Sequence, residues 1–345
     1  MAKQIVGLDV GTRFVKAVQL TEEGGRWSLT EFGIEPVEQP EQPESAISSL
    51  FARKAFKGNK RVNLGISGRS VFVRYVPMPK MSEEELVNAS KYELGKYIPI
   101  EVDEVIHDCK KLEEPGEGDS EMKVVLVAAR KAFVDKRIEL IDRVGLYPNI
   151  IDVECFALGN AYEKIKTMNA EPLPEGVPYQ GGGGGCVAIV EIGASKSNVV
   201  ILNNNVCQFT REFYKGGDDM TDVLSKKLGC DSATAEALKR DAKDDSMKVQ
   251  AAIEDVIDDI CQDAKISIDF FENQNDMTVD EVLLTGGACG AVGLKDAMAR
   301  MIGKPLEIWN PIEQFPLALS QQSEAELRAA AWQCGVALGL AVRDS

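Results

Sequence analysis

The sequence predicts an α/β chain built from two related halves, with a smaller α+β unit inserted in the first. Three observations carry that prediction. Short alternating apolar stretches are interleaved with longer stretches of helical spacing, as in sheets covered by helices. A carboxylate-x-Gly-small sequence lying between two strands occurs in GLDVGTRFVKAVQL and returns about 180 residues later in IVEIGASKSNVVIL, a repeat at domain scale. Between these copies, residues 68–149 read as a self-contained strand-helix-strand-strand-helix unit.

The elements follow in order. Alternation predicts strands at 4–9, 14–20 and 26–32, with Glu22-Glu23-Gly24-Gly25 as the turn between the last two. Residues 36–43, with three prolines, read as a loop, followed by a helix over 45–56 and strands at 61–66 and 71–76. Pro77-Met78-Pro79 is expected to end extended structure, because proline has no amide donor. Ser82 and Glu85 are spaced as a capping box, and the helix they open presents Leu86, Leu94 and Tyr97 before Pro99 stops it. Strand 105–111, a turn over 115–119, strand 123–129 and helix 132–144 closed by Gly145 complete the inserted unit. Asp152 and Glu154 fall at a strand-to-helix junction, where acids ordinarily act as caps.

Residues 172–185, ending in five glycines, read as a flexible linker: no Lys-Ser/Thr follows, and the run precedes a strand. The second half repeats the three strands at 187–192, 198–202 and 206–209, with Asn203-Asn204-Asn205 as its hairpin turn. Helices are predicted at 218–228, 232–240 and 249–272, the last with a stripe from Ala252 to Phe271. A strand at 281–284 opens into Thr285-Gly286-Gly287-Ala288, and a helix over 294–301 follows. A single apolar helix is expected over 324–342.

Composition narrows the chemistry. The 345 residues carry 39 Lys+Arg against 55 Asp+Glu, a formal charge of −16, with no long basic run. Nucleic acid and anionic lipid surfaces are therefore disfavoured as direct partners. No stretch is long and apolar enough for a membrane span and the first residues do not resemble a signal peptide, so a cytoplasmic location is expected. The eight cysteines are scattered without a CxxC pair and read as reduced, buried thiols, while the lone His107 rules out a Cys/His zinc cluster.

Chemistry then rests on carboxylates, Lys/Arg and backbone. After Asp9, the glycine of Asp9-Val10-Gly11-Thr12 permits a tight reversal, and the amides of Gly11, Thr12 and Arg13 can converge on an anion. Lys16 on the next strand reaches the same phosphate as a point charge, and Asp9 is a carboxylate of the kind that holds Mg²⁺ through water. Alone, such a hairpin is more often a plain turn. The repeat supplies a second one, Glu191-Ile192-Gly193-Ala194, and two facing hairpins can clamp a polyphosphate. Glu236 shares a helix face with Lys239 and Arg240, ordinarily a solvated ion pair.

These pieces, in this order, resemble the actin-like ATPase superfamily over nearly the whole chain. The resemblance implies the actin-like, ribonuclease H-like duplicated fold. DVGTRFVK is similar to that family's first phosphate motif and EIGASKSN to its second, which implies nucleotide contacts from Gly11, Thr12, Arg13, Lys16, Gly193, Ala194 and Ser195. KGGDDMTDVL with AEALK, and LLTGGAC, resemble the adenosine segments, implying Gly216, Gly217, Glu236, Lys239, Gly286, Gly287 and Ala288. ATP and Mg²⁺ are the implied cofactors, with Asp9 and Glu191 at the metal and Glu154 orienting water. Arg13, Lys16, Lys196 and Lys239 are expected to converge on the nucleotide. Glu191 stands where most relatives have Asp, and an added methylene displaces the carboxylate by roughly 1 Å, so binding is better supported than turnover.

The inserted unit, VPMPKMSEEELVNASKYELGKYIPIEVDEVIHDC, resembles that of the PilM family of type IV pilus assembly proteins, as does the VALGLAVRDS end. The family's subdomains then map to 1–67 with 150–184 and 325–345 (IA), 68–149 (IC), 185–215 with 281–324 (IIA), and 216–280 (IIB). The resemblance implies a cytoplasmic scaffold at the inner membrane that binds the N-terminal cytoplasmic peptide of PilN, in a groove near 76–79 and 97–100. Membrane contact would be indirect, through that partner, and self-association is open. Alternatives are a small-molecule kinase of the same superfamily, an FtsA-like filament and a type II secretion counterpart. No second acid suited to a kinase base can be placed from the sequence, and FtsA's basic amphipathic helix is absent.

Overall fold

A computed structural model of the chain describes residues 3–53, 56, 58–113, 118, 120–168 and 185–343, with only the backbone of Asp244 and Gln322. The first half is built on β1 (Lys3–Val10), β2 (Phe14–Glu23), β3 (Arg26–Pro36), β4 (Arg61–Ile66) and β8 (Tyr147–Val153). The second is built on β9 (Cys186–Ile192), β10 (Ser197–Asn203), β11 (Val206–Phe213), β12 (Glu281–Thr285) and β13 (Leu306–Ile308). Their strand orders are β3-β2-β1-β4-β8 and β11-β10-β9-β12-β13. In each sheet the first three strands are antiparallel and the last two join in parallel. The fold is thus the duplicated, actin-like α/β arrangement. Even the irregularity repeats: register shifts at Gln19/Leu20 and at Ile201/Leu202, and each pair is related by the same sequence offset that relates Asp9 to Glu191.

Two helices lie between the sheets. Helix α4 (Glu154–Met168) packs Leu158 and Tyr162 against β9 and β10, while α10 (Gly335–Val342) packs Ala337 and Leu338 against β2. They cross so closely that a Cβ on Gly339 would overlap the Ala157 carbonyl, which makes glycine obligatory there. Outer faces are covered by α1 (Glu44–Ala52) and α3 (Lys131–Arg143) on the first sheet. On the second they are covered by α5 (Gly217–Leu228), α6 (Ser232–Arg240), the thirty-residue α7 (Ser246–Asn275) and α8 (Leu294–Ile302). Buried Asn63 ties the C-terminus down, donating to the Leu340 and Arg343 carbonyls at 2.9 and 2.8 Å.

The inserted unit has its own sheet, ordered β5-β7-β6, from β5 (Val71–Pro79), β6 (Val105–Lys111) and β7 (Glu121–Arg130), with α2 (Glu83–Leu94) packed on it. The Ser82 and Glu85 capping box forms as its spacing predicts. Four expectations are corrected. Strand β5 runs through Pro77-Met78-Pro79, pairing Pro77 with Lys123 and Pro79 with Glu121. It is an edge strand, and both prolines fall on the parity whose amides face away from the partner. Helix α2 stops at Leu94, so Tyr97 lies beyond it and is exposed. Helix α1 ends at Ala52 rather than 56, and Pro36 closes β3 rather than opening a loop.

The predicted helix over 324–342 is broken into α9 (Gln321–Ala329), a single 3₁₀ turn at Ala331–Gln333, and α10. The break frees the Trp332 carbonyl, which accepts from the Gly286 amide at 2.8 Å and the Thr285 hydroxyl at 2.9 Å. The pairing of β8 and the short β13 were not foreseen. Most of the predicted turn at 115–119, and all of the linker but Gly185, lie outside the described residues.

Candidate functional site

The repeated motif folds as two hairpins at one end of the sheets. In the first, the Gly11 amide donates to the Phe14 carbonyl at 3.1 Å; in the second, Gly193 donates to Lys196 at 2.9 Å. A Cβ on Gly193 would overlap the Lys196 carbonyl at 2.9 Å, and one on Gly11 would press on the Phe14 carbonyl at 3.0 Å, so both reversals favour the missing side chain. Antiparallel pairing then puts Asp9 opposite Lys16, and Glu191 opposite Asn198. The tips meet across the cleft: the Thr12 hydroxyl donates to Ser195 at 3.3 Å, and the Arg13 guanidinium reaches Asp218 at 2.8 Å.

Between the hairpins lies a cavity of about 650 Å³. Most of the predicted site residues line it: Asp9, Gly11, Thr12, Arg13, Lys16, Glu154, Glu191, Gly193, Ala194, Ser195, Gly217, Glu236, Lys239, Gly287 and Ala288. Gly216 and Gly286 do not. Gly216 instead abuts the Gly193 carbonyl, and Gly286, at φ +95°, packs on the Ile192 backbone. Both hold up the second hairpin from behind. Its carbonyls are engaged as well: Gly193 and Ala194 accept from the amides of Gly217 and Asp218 at the start of α5, and Ile192 accepts from Ala288.

The four expected cations line the cavity, yet each is held by a carboxylate. Lys16 sits 2.5 Å from Asp9, and that carboxylate keeps it protonated against burial, which alone would lower it. Buried Lys239 donates to the Gly217 carbonyl at 3.0 Å, the Thr221 hydroxyl at 2.9 Å and Glu236 at 2.5 Å. Burial still leaves its pKa below the ordinary lysine value, with Glu236 only partly restoring it. Arg13 pairs with Asp218. Lys196 pairs with Glu154 at 2.7 Å and Glu212 at 3.1 Å, and also donates to the Ser67 hydroxyl.

The acids differ accordingly. Burial would raise Glu154, but Lys196 and Ser67 outweigh it and hold the carboxyl below its usual range. Glu191 has only the Asn198 amide, donating at 2.8 Å, and more distant lysines, so burial pushes it up to about 7. Sequence reasoning missed Glu212, Ser67 and Asn198 as members of this network. The spacing did hold a signal for Asn198, which occupies the register position of Lys16 in the duplicate hairpin. Within the expected partner groove Val76, Met78 and Ile98 are buried, while Pro77, Pro79, Tyr97 and Pro99 are exposed. Among the described residues, the large exposed hydrophobics from β5 through β7 of the inserted unit are Val87, Tyr92, Tyr97 and Ile106.

Residues 7–345 match the family model of the type IV pilus assembly protein PilM. The chain belongs to the PilM family. Among solved structures it is similar to the "PilM-PilN type IV pilus biogenesis complex", at 25% identity and TM-score 0.81, covering 98% of each chain. It shares the fold of the ethanolamine utilization protein EutJ from Carboxydothermus hydrogenoformans at 13% identity and TM-score 0.55, covering 99% of this chain and 89% of that one. Among the described residues, no helix is long and apolar enough to cross a membrane.

Proposed function

We propose that this member of the pilus assembly family is an ATP-binding scaffold whose nucleotide lies between the two glycine hairpins. One observation carries the reading: duplicated hairpins, each turned on a glycine, face each other across a cavity lined by Lys16, Lys196 and Lys239. The glycine amides close their own turns on Phe14 and Lys196, contrary to the expectation for Gly11, so an anion would meet the amides that follow them, at Thr12 and Arg13 and at Ala194 and Ser195; about 650 Å³ suits a small organic ligand. Gly287 and Ala288 offer backbone against which a flat base can lie. Asp9 and Glu191 both line the cavity, while the described residues hold no group of three or more His, Cys, Asp or Glu able to hold an ion alone. That donor set fits Mg²⁺ carried chiefly by phosphate oxygens and water, with Asp9 and Glu191 at its water shell. Bound there, the ion would neutralise phosphate charge.

Binding is favoured over turnover, because Glu154, the carboxylate assigned to orient water, is engaged by Lys196. The partner is the N-terminal cytoplasmic peptide of PilN, which would keep the protein cytoplasmic at the inner membrane; the similarity to the PilM-PilN complex supports this. Thermal-shift titration with magnesium-ATP tests the first claim: a rising midpoint is expected, and none across millimolar ATP would overturn it. Fluorescence anisotropy of a labelled PilN peptide tests the second, which fails if no binding occurs with ATP present. A phosphorylated metabolite found by mass spectrometry would instead support a kinase.

A further inference from the structure

Lys196 occupies an unusual position. In the first hairpin the corresponding place, the residue whose carbonyl closes the glycine turn, is taken by Phe14; in the second it is a lysine. Its ammonium has three protons and all three are used, on Glu154, Glu212 and the Ser67 hydroxyl. These partners belong to three separate parts of the chain. Glu154 opens α4, Glu212 lies near the end of β11, and Ser67 stands in the connection from β4 to β5, where the chain leaves the first sheet for the inserted unit.

That connection meets the second half at this node and beside it, while the inserted unit has further contacts with that half between Tyr75 and Cys207 and between Lys123 and Asn275. Glu212 also accepts the Gly68 amide at 3.2 Å, with Gly68 at φ +98°. The Arg69 guanidinium lies 4.7 Å above the Tyr214 ring, two residues beyond Glu212. Ser70 then accepts the Arg130 amide at 2.9 Å, joining the connection to the end of β7. Glu212 thus holds the second hairpin through Lys196 and the inserted unit's first crossing through Gly68.

Lys196 also lines the cavity, beside Gly193, Ala194 and Ser195. An ammonium on a flexible four-carbon stem can accept a phosphate oxygen as a partner only by giving up one it already has. Its contact with Glu212, at 3.1 Å, is longer than that with Glu154, at 2.7 Å, and is the one to yield.

We propose that Lys196 is a phosphate-sensing positioning residue: an anion between the hairpins draws its ammonium from Glu212, and the 67–70 connection to the inserted unit loosens in response. This rests on the nucleotide reading and adds to it the route by which occupancy reaches the inserted unit. Glu212 competes with phosphate for the ammonium, so the two ends of the pair have opposite effects on ATP. Glu212→Gln removes the competitor and tightens ATP severalfold, whereas Lys196→Met weakens it about tenfold or more. A merely structural pair would weaken binding from both sides.

The experiment combines calorimetric titration of magnesium-ATP with hydrogen exchange of peptides covering residues 67–73, on the full-length wild type and both variants. Wild type should exchange faster at 67–73 when ATP is added; both variants should exchange fast without it and respond no further. ATP binding with unchanged exchange at 67–73, or weakened ATP binding in Glu212→Gln, overturns the inference and leaves the nucleotide reading intact. No ATP binding by the wild type overturns both. Should Lys196→Met fail to fold, Glu212→Gln alone decides by the sign of its affinity change.

Discussion

Replacing Glu191 by Gln removes an ionisable group while keeping its length and an oxygen able to accept the Asn198 hydrogen bond. Burial lifts this carboxyl from 4.5 to about 7, with Asn198, Lys16 and Lys196 opposing it only in part. The folded pKa lies above the unfolded one. The favourable contribution is therefore fully present below about pH 4.5 and is lost as the pH rises through about 7. At about 1.4 kcal/mol per unit, the loss by pH 8 is about 3 kcal/mol. Gln carries no charge at any pH and escapes it. Urea unfolding of both proteins in metal-free buffer, from about pH 5 to pH 8, should show the variant pulling ahead as pH rises. The difference in favour of Glu191→Gln should grow from about 1 kcal/mol at pH 5 to about 3 kcal/mol at pH 8. A pH-independent difference, or a wild type that is more stable at pH 8, would refute the burial argument.

Other substitutions probe the scaffold. Gly339→Ala drives a methyl into the Ala157 carbonyl, backbone against backbone, and should cost more than the about 1–3 kcal/mol of ordinary overpacking, seen as a large fall in melting temperature. Asn63→Ala takes the side-chain donor from the Leu340 and Arg343 carbonyls, of which Leu340 keeps the Arg343 amide, and should lower stability by about 1–3 kcal/mol in urea unfolding, with proteolysis increased at the C-terminus. Lys239→Met leaves Glu236 and Thr221 without their buried donor and should cost about 2–4 kcal/mol. Lys227→Met, which breaks only an exposed pair with Asp255, should leave the unfolding midpoint unchanged.

What the sequence could reveal follows from how far each interaction reaches along the chain. The hairpins were legible because their chemistry is local: the glycine, its closing carbonyl and the paired residue lie within seven positions of Asp9. The capping box at Ser82 was legible for the same reason. Pro77 and Pro79 misled because proline's effect depends on whether a strand is at an edge, which only the sheet order β5-β7-β6 decides. The broken C-terminal helix was hidden because its break is stabilised by Thr285 and Gly286, far earlier in the chain. Lys196 was expected to serve the cleft. Its partners, Ser67 and Glu154, lie 129 and 42 positions away, and no local pattern announces such a meeting.

The most direct test of the account is calorimetric titration of magnesium-ATP into the wild type and Gly287→Val. Gly287 lines the cavity at an ordinary backbone angle, and a Cβ there meets only the flexible Gln333 side chain at 3.3 Å, so the variant should fold and its valine should fill the cleft. One ATP should bind per wild-type chain and none to the folded variant. A wild type that binds no ATP at millimolar concentration, or a Gly287→Val protein that binds it equally well, would contradict a nucleotide held between the two hairpins.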